Sequence, residues 1–280
     1  MPAGGPWATV VEFLRERTGT PAEALRGRVR AGEVILGDGT VVDEQTAYRG
    51  GQVVFLYRDL ETEVDVPFEL DILYQDDDIV VVDKPHFLAT MPRGRHVRQT
   101  VVTRLRHEHG LPVVVPAHRL DRLTAGVMLL VIRPELRGAY QTLFAERRVH
   151  KTYLALAPRL ASWSGSVEVS NRIIKLRGQL QAQVVPGDPN ARTTVERLTC
   201  EDDLCTYRLT PHTGRTHQLR VHCAELGMPI VGDSLYPNVR EVSADDFSDP
   251  LQLLSQRLEF EDPLSGHHRT FRSERTLRHA

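Results

Sequence analysis

The chain is predicted to fold as α+β, with a mixed, mostly antiparallel sheet. Strand signals outnumber helix signals, several strand pairs flank short turns, and the helices are scattered rather than alternating with strands. With 280 residues, 41% of them hydrophobic, the chain can build a large core plus a small appendage, with no need of metal or disulfide. Residues 1–62 read as that appendage and residues 63–280 as the main domain.

In the appendage, Thr9 precedes Val10, Phe13 and Leu14 at helical spacing, and Thr20-Pro21 is expected to open a second helix as cap and first-turn proline. Val34-Ile35-Leu36 and Val53-Val54-Phe55-Leu56 then read as a small hairpin, with Gly37-Asp38-Gly39 and Gly50-Gly51 as turns. A charged connector runs from Arg58 to Asp65, closed by Pro67.

The main domain begins with a strand pair, Ile72-Leu73-Tyr74 and Ile79-Val80-Val81-Val82, around the Asp76-Asp77-Asp78 turn. An arginine-rich loop follows, then Leu111 to Pro116. Gly126 to Ile132 is too short for a membrane span and fits a buried strand. Pro134 starts a helix whose Leu136, Tyr140, Leu143 and Phe144 share a face. Lys151 to Ala157 reads as a strand, as do Val195 to Leu198 and Thr206 to Leu209 around the acidic turn Glu201-Asp202-Asp203. Thr216 to Leu226 reads as a helix closed by Gly227. Strands near Leu258-Glu259-Phe260 and Arg269-Thr270-Phe271 finish the domain.

A formal charge of −2 and a pI near 6.6 argue against an overtly basic nucleic-acid binder. Three cysteines, Cys200, Cys205 and Cys223, form no C-x-x-C pair and suggest a reducing compartment. With no long apolar run and no leader-like N-terminus, a cytoplasmic protein without a membrane partner is expected. Of 35 basic residues only Lys84, Lys151 and Lys175 are lysine, a bias that fits a GC-rich gene and also suits planar phosphate contacts.

No phosphate loop G-x-x-x-x-G-K-[ST], no G-x-S-x-G elbow and no H-E-x-x-H occur, so those chemistries lack their parts. His118-Arg119-Leu120-Asp121 echoes a kinase catalytic loop, but Leu120 spoils the spacing. His212, His217 and His222 suggest metal ligands, yet five-residue steps on a helix rotate by about 140°, so a structural role is expected. Two clusters remain. His118-Arg119-Leu120-Asp121-Arg122-Leu123-Thr124-Ala125-Gly126 lies between apolar segments, and could be an ordinary surface ion pair. Thr213-Gly214-Arg215-Thr216-His217-Gln218-Leu219-Arg220 leads into a helix start, where free N–H groups and arginines can face an anion.

Five ordered blocks resemble the RluA-type RNA pseudouridine synthases. They are Ile72-Leu73-Tyr74 through Asp83-Lys84-Pro85; His118 to Asp121 with Thr124 and Gly126; Arg148 through Lys151-Thr152-Tyr153-Leu154-Ala155; Thr213 to His222; and Gly227 to Ile230 with Gly232, Asp233 and Tyr236. Together they span roughly residues 70 to 275. One departure is Ala125, where many members carry serine.

The resemblance implies a pseudouridine-synthase-like catalytic domain that isomerises uridines in structured RNA, large-subunit ribosomal RNA first and transfer RNA otherwise. No cofactor or metal is needed, because substrate and product are isomers, and a monomer is expected. It implies that Asp121 is the catalytic aspartate, acting as nucleophile on C1′ or as base toward a glycal. Tyr153 stacks on the uracil and assists removal of the C5 proton, and Arg220 pairs with the aspartate. Arg119 fills the gap left by the flipped base. Arg215, Lys151 and Arg122 contact RNA, and His118, Thr124 and Gly126 support the loop. Lys84 is left between an RNA contact and a solvated lysine. The N-terminal unit loosely resembles an S-four-like RNA-binding module, and Arg26, Arg28 and Arg30 are its candidate phosphate contacts, although residues 1–62 hold seven basic and nine acidic side chains.

Two other classes stay open: a non-catalytic RNA-binding or ribosome-assembly factor, and a glycosidase, which needs a second carboxylate such as Glu146 or Asp233. Between Arg93 and Lys151 twelve basic residues face four acidic ones, a net +8 that attracts phosphate locally in a mildly acidic chain.

Overall fold

The first helix, α1 (Val10–Thr18), begins where it does because Thr9 and Glu12 cap each other. The Thr9 hydroxyl accepts the Glu12 N–H at 3.2 Å, and the Glu12 carboxylate accepts the Ala8 and Thr9 N–H groups. Such a box stabilises a helix start by about 1 kcal/mol. Helix α2 (Ala22–Arg30) starts differently from the sequence expectation. Pro21 is its cap and donates no side-chain bond, while the Thr20 hydroxyl is taken by Thr18 at 2.7 Å. Strands β1 (Val34–Leu36) and β2 (Val54–Leu56) pair antiparallel, but across residues 37–53 rather than a tight hairpin. Val10, Phe13, Leu14, Leu25, Val29 and Val34 make the core of this unit.

The computed structural model describes residues 1–57, 63–94, 96–160, 163 and 165–278. The chain divides into Met1–Glu61 and Thr62–Ala280. The start of the expected connector, Arg58 to Thr62, and with it the expected boundary, lies outside the described residues. In the first unit the three candidate phosphate-binding arginines all face acids. Arg26 and Arg30 each lie 3.6–3.8 Å from Glu23 and Glu44, and Arg28 lies 3.2 Å from Glu33.

The second unit is built on a twisted sheet in the order β3-β4-β6-β13-β7-β12-β11-β8. In chain order these strands are β3 (Asp71–Gln75), β4 (Ile79–Lys84), a short β5 (Val115–Pro116) on β6, and β6 (Ala125–Val131). They continue as β7 (His150–Pro158), β8 (Ser166–Asn171), a separate pair β9 (Ile173–Ile174) and β10 (Gln183–Val184), β11 (Ala191–Glu201) and β12 (Leu204–Pro211). Last come β13 (Leu253–Glu261) and β14 (His268–Arg272). Among the named strands one pairing is parallel, β6 with β13; the sheet is mixed and mostly antiparallel, as expected.

Helices cover both faces. On one side Val80, Val82, Met128 and Leu130 pack under α3 (Val101–Glu108) and α5 (Gln218–Glu225). On the other, Ile79, Val81, Val127 and Leu129 pack against Tyr140 and Leu143 of α4 (Arg137–Ala145), which follows a single 3₁₀ turn at Pro134–Leu136. Burial on both faces explains why β4 and β6 read as unbroken apolar runs rather than alternating ones.

Three sequence expectations change here. The arginine-rich loop contains α3, capped by the Thr100 hydroxyl on the Thr103 N–H at 3.1 Å. Arg104 inside it is structural: it donates to the Val66 and Phe68 carbonyls at 2.6 and 2.5 Å. The last helix starts at Gln218 rather than Thr216, because His217 adopts a left-handed φ of 58°. Cys200 and Cys205, taken from sequence as thiols of a reducing compartment, stand directly opposite across the β11–β12 turn and are joined as a disulfide. Cys223 is a buried thiol.

Candidate active site

Asp121 lies in the loop between β5 and β6, and the loop is fixed by its own neighbours. The His118 Nε2 accepts the Leu129 N–H at 3.1 Å while its ring stacks on Phe144 at 4.4 Å. Burial pushes the His118 pKa down to about 3, so the ring is a neutral acceptor. The Thr90 hydroxyl donates to the Leu120 carbonyl at 2.8 Å, and the Thr124 N–H donates to the Asp121 carbonyl at 3.1 Å. Gly126, with φ 108°, lets β6 pass β13, since a Cβ there would lie 2.2 Å from the Ser255 carbonyl oxygen. Ala125 is fully buried beside it.

Lys84 contributes from below. It is neither solvated nor an RNA contact, because it is completely buried and its Nζ donates to the carbonyls of Pro85, Leu88 and Arg122 at 2.9, 2.8 and 3.1 Å. Burial holds its pKa well below the usual lysine value. The lysine therefore ties β4 to the Asp121 loop.

The Asp121 carboxylate, 31% exposed, opens onto a cavity of about 690 Å³. Arg220 from α5 brings Nη1 to 3.7 Å from its Oδ2, and His217 brings Nε2 to 4.0 Å. Arg220 in turn is clamped by Asp233, Nε to Oδ2 at 2.8 Å and Nη2 to Oδ1 at 2.6 Å, with both side chains at 2% exposure or less. Burial works against the Arg220 charge, yet Asp233 and then Asp121 outweigh it and raise the pKa. Asp233 also accepts the N–H groups of Leu235 and Tyr236, so it is fully engaged.

The Tyr236 hydroxyl accepts the Ala182 N–H at 2.6 Å and lies 2.9 Å from His217 Nδ1. The same hydroxyl donates to the Ala182 carbonyl at 3.3 Å, and the His217 ring, held through Nδ1, turns Nε2 toward Asp121. Burial, opposed by Asp121, lowers the His217 pKa, which keeps the ring neutral. His222 is turned elsewhere, held by Thr193 and Asn171 at 2.9 and 3.0 Å. Among the described residues no cluster of His, Cys, Asp and Glu is arranged to hold a metal ion.

Tyr153 on β7 also lines the cavity, opposite Leu209 on β12 and Ser255 on β13. Burial, offset in part by Ser255 and reinforced by Asp121, pushes its pKa up to about 12, so it is a phenol at neutral pH. Six cations line the cavity: Arg119, Arg137, Arg147, Lys151, Arg215 and Arg220. Asp121 is the single carboxylate doing so among the described residues. A site with that imbalance favours an anionic ligand.

Most of the residues singled out from sequence thus meet here: Asp121, Tyr153, Arg220, Arg119, Arg215 and Lys151, with His118, Thr124 and Gly126 around the loop. Arg122 does not join them. Its guanidinium lies over the Phe87 ring at 5.8 Å and donates to the Phe87 carbonyl at 3.4 Å. Of the two candidate second acids, Glu146 pairs with Arg148 at 3.4 Å outside the cavity, and Asp233 is consumed by Arg220. Sequence reading gave no role to His217 beyond structure, and none to Tyr236 or Ser255. The first two lay inside matched blocks, but their meeting required the chain to return from residue 236 to residue 217.

A sequence family described as RNA pseudouridylate synthase matches residues 78–225. The ribosomal large subunit pseudouridine synthase D of Xylella fastidiosa is 35% identical over 239 residues, covering 80% of this chain and 67% of that protein. The mitochondrial tRNA pseudouridine(32) synthase of Saccharomyces cerevisiae is 30% identical over 232 residues, covering 81% of this chain and about half, 49%, of that longer protein. Among solved structures, human RNA pseudouridylate synthase domain containing 1 superposes with a TM-score of 0.59 at 27% identity, covering 76% of this chain and 86% of that one.

Proposed function

Because the chain belongs to the RNA pseudouridylate synthase family, of the RluA type, and so is an isomerase acting on RNA uridine, we propose that Asp121 carries its chemistry and that its substrate is large-subunit ribosomal RNA before transfer RNA. One observation supports the first part above all. Among the described residues a single carboxylate faces the cavity alongside six cations, with Arg220 at 3.7 Å and the Tyr153 phenol in the same wall.

The reaction breaks N1–C1′, forms C5–C1′, and moves one proton from C5 to N1, so nothing is consumed. Asp121 either bonds to C1′ or takes a ribose proton toward a glycal, and in both routes it must be ionised and aimed. Arg220 supplies the neighbouring positive charge and Asp233 fixes its direction. His217 packs beside the carboxylate with Nε2 at 4.0 Å, beyond hydrogen-bond reach. Tyr153 offers a flat, desolvated face for the uracil and an O–H that stays protonated. Arg119, exposed and without an ion pair or hydrogen bond to any described residue, is the side chain available to fill the stack once the base has flipped. The preference for ribosomal RNA rests on the greater identity to the Xylella relative and the larger share of that protein's length that is matched.

The test is pseudouridine formation by the full chain. Asp121→Asn should lower it by at least about 10³-fold, as removal of a nucleophile does, with RNA affinity changed by no more than a few-fold. Turnover near the unsubstituted rate would refute the assignment. Pseudouridine mapping of RNA from cells with and without the gene identifies the substrate, and an unchanged map would favour a binding factor that keeps the fold.

A further inference from the structure

A second cavity, of about 210 Å³, adjoins the first and shares Phe144, Arg147, Lys151 and Pro211 with it. Its outer wall comes from His150 on β7, Arg192 on β11, and Thr210 and His212 on β12. No carboxylate lines it among the described residues.

The cations in it lack the partners that ordinarily surround them. The side chains of Arg147 and Lys151 make no ion pair or hydrogen bond with any described residue, although Lys151 is only partly exposed. Burial and the nearby Arg147 both lower the Lys151 pKa, so two positive groups are held together with no acid among the described residues paired to either. Arg147 also holds a left-handed φ of 60°, a conformation that disfavours a side chain. Arg192 meets Glu168 only at 3.8 Å, with both side chains about half exposed, a pairing worth little. His212 is steadied by the Thr194 hydroxyl at 2.8 Å. A cavity that gathers three cations, one of them partly desolvated, and no carboxylate among the described residues is completed by an anion from outside.

We propose that this second cavity is a subsite for the phosphodiester of the RNA strand flanking the reacting uridine, with Arg192 and Arg147 as its ligands and Lys151 at the junction of the two cavities. The assignment rests on reading the first cavity as the uridine pocket. A strand whose nucleotide enters the first cavity must leave it, and the shared wall leads into the second. Because the groups are two fork donors and a point charge rather than base-reading amides, the subsite fixes the strand's register and carries no sequence preference.

The experiment measures binding of a fluorescein-labelled ten-nucleotide oligouridylate to the full chain at a series of KCl concentrations. Arg192→Ala, on an exposed strand position, should flatten the slope of log affinity against log salt by about 0.7, the value for one phosphate contact on a single strand. It should also weaken low-salt binding roughly tenfold. Arg133→Ala removes an exposed cation paired with Asp78 and Glu135 outside both cavities, and should change neither quantity. An unchanged slope and affinity in Arg192→Ala, or no binding of the probe at all, overturns the subsite. Pseudouridine formation on total RNA is followed in parallel. A flattened slope with no isomerisation by the unsubstituted chain keeps the subsite and sinks the uridine pocket, whereas isomerisation with an unchanged slope does the reverse.

Discussion

Asp121 and Asp233 both approach Arg220, yet their removal should cost the fold very different amounts. Asp233 makes two bonds of 2.8 and 2.6 Å to the guanidinium in a region at most 2% exposed, and accepts two further backbone N–H groups. At 2.8 Å and an effective dielectric of about 20, the Coulombic attraction before desolvation is roughly 6 kcal/mol. Asp233→Ala leaves Arg220 buried and unpaired, and breaking such a pair costs about 3–5 kcal/mol. For a unit of roughly 200 residues that lowers the melting temperature by roughly 6–20 °C. Asp121 stands 3.7 Å away and is 31% exposed, where the attraction is about 1 kcal/mol in a water-like medium. Asp121→Asn should therefore shift the same transition by less than about 3 °C. Calorimetry of the full chain, following the transition of the larger unit, checks both. A loss below about 3 °C for Asp233→Ala, or equal losses for the two variants, would refute the division into a structural and a chemical carboxylate.

Gly126→Ala sets a Cβ 2.2 Å from the Ser255 carbonyl oxygen at a φ of 108°, so it should part β6 from β13 and lower stability by roughly 3 kcal/mol or more; a urea midpoint within experimental error of the parent would contradict the close approach. Acid should destabilise the second unit well above the carboxylate range. Burial lowers His86 and His222 to about 4 and His118 to about 3. Between pH 6.5 and those values the unfolded chain binds protons that the folded one refuses. Stability is thus full above the unfolded pKa and falls by up to about 1.4 kcal/mol per pH unit for each histidine as pH drops. Equal urea midpoints at pH 7 and pH 5 would count against this.

Much of the fold could be read directly. Unbroken apolar runs marked β4 and β6, and Thr9 with Glu12 marked the start of α1, because both signals are local. Helix α3 went unseen although Thr100 and the Val101-Val102-Leu105 spacing were present, since the arginines around it dominated its composition. The net +8 of residues 93–151 was also only partly informative. Arg104 is spent on carbonyls, Arg122 on Phe87, and Arg133 and Arg148 on neighbouring acids, while Arg119, Arg137, Arg147 and Lys151 reach the cavity. Charge counting along the chain cannot separate these fates, because a guanidinium's partner is set by the fold.

The family, the sheet-rich fold and the three elements that supply Asp121, Tyr153 and Arg220 are legible in the chain, because each is written in a contiguous block of residues whose spacing is local. The tertiary structure alone decided which groups those residues meet. It gave Arg220 to Asp233 first and to Asp121 second, buried Lys84 under the loop, turned Arg122 away and left Arg147 and Lys151 without acids among the described residues. Those outcomes depend on distances between segments up to about a hundred residues apart in the chain, and electrostatic partnership follows distance and burial rather than sequence order.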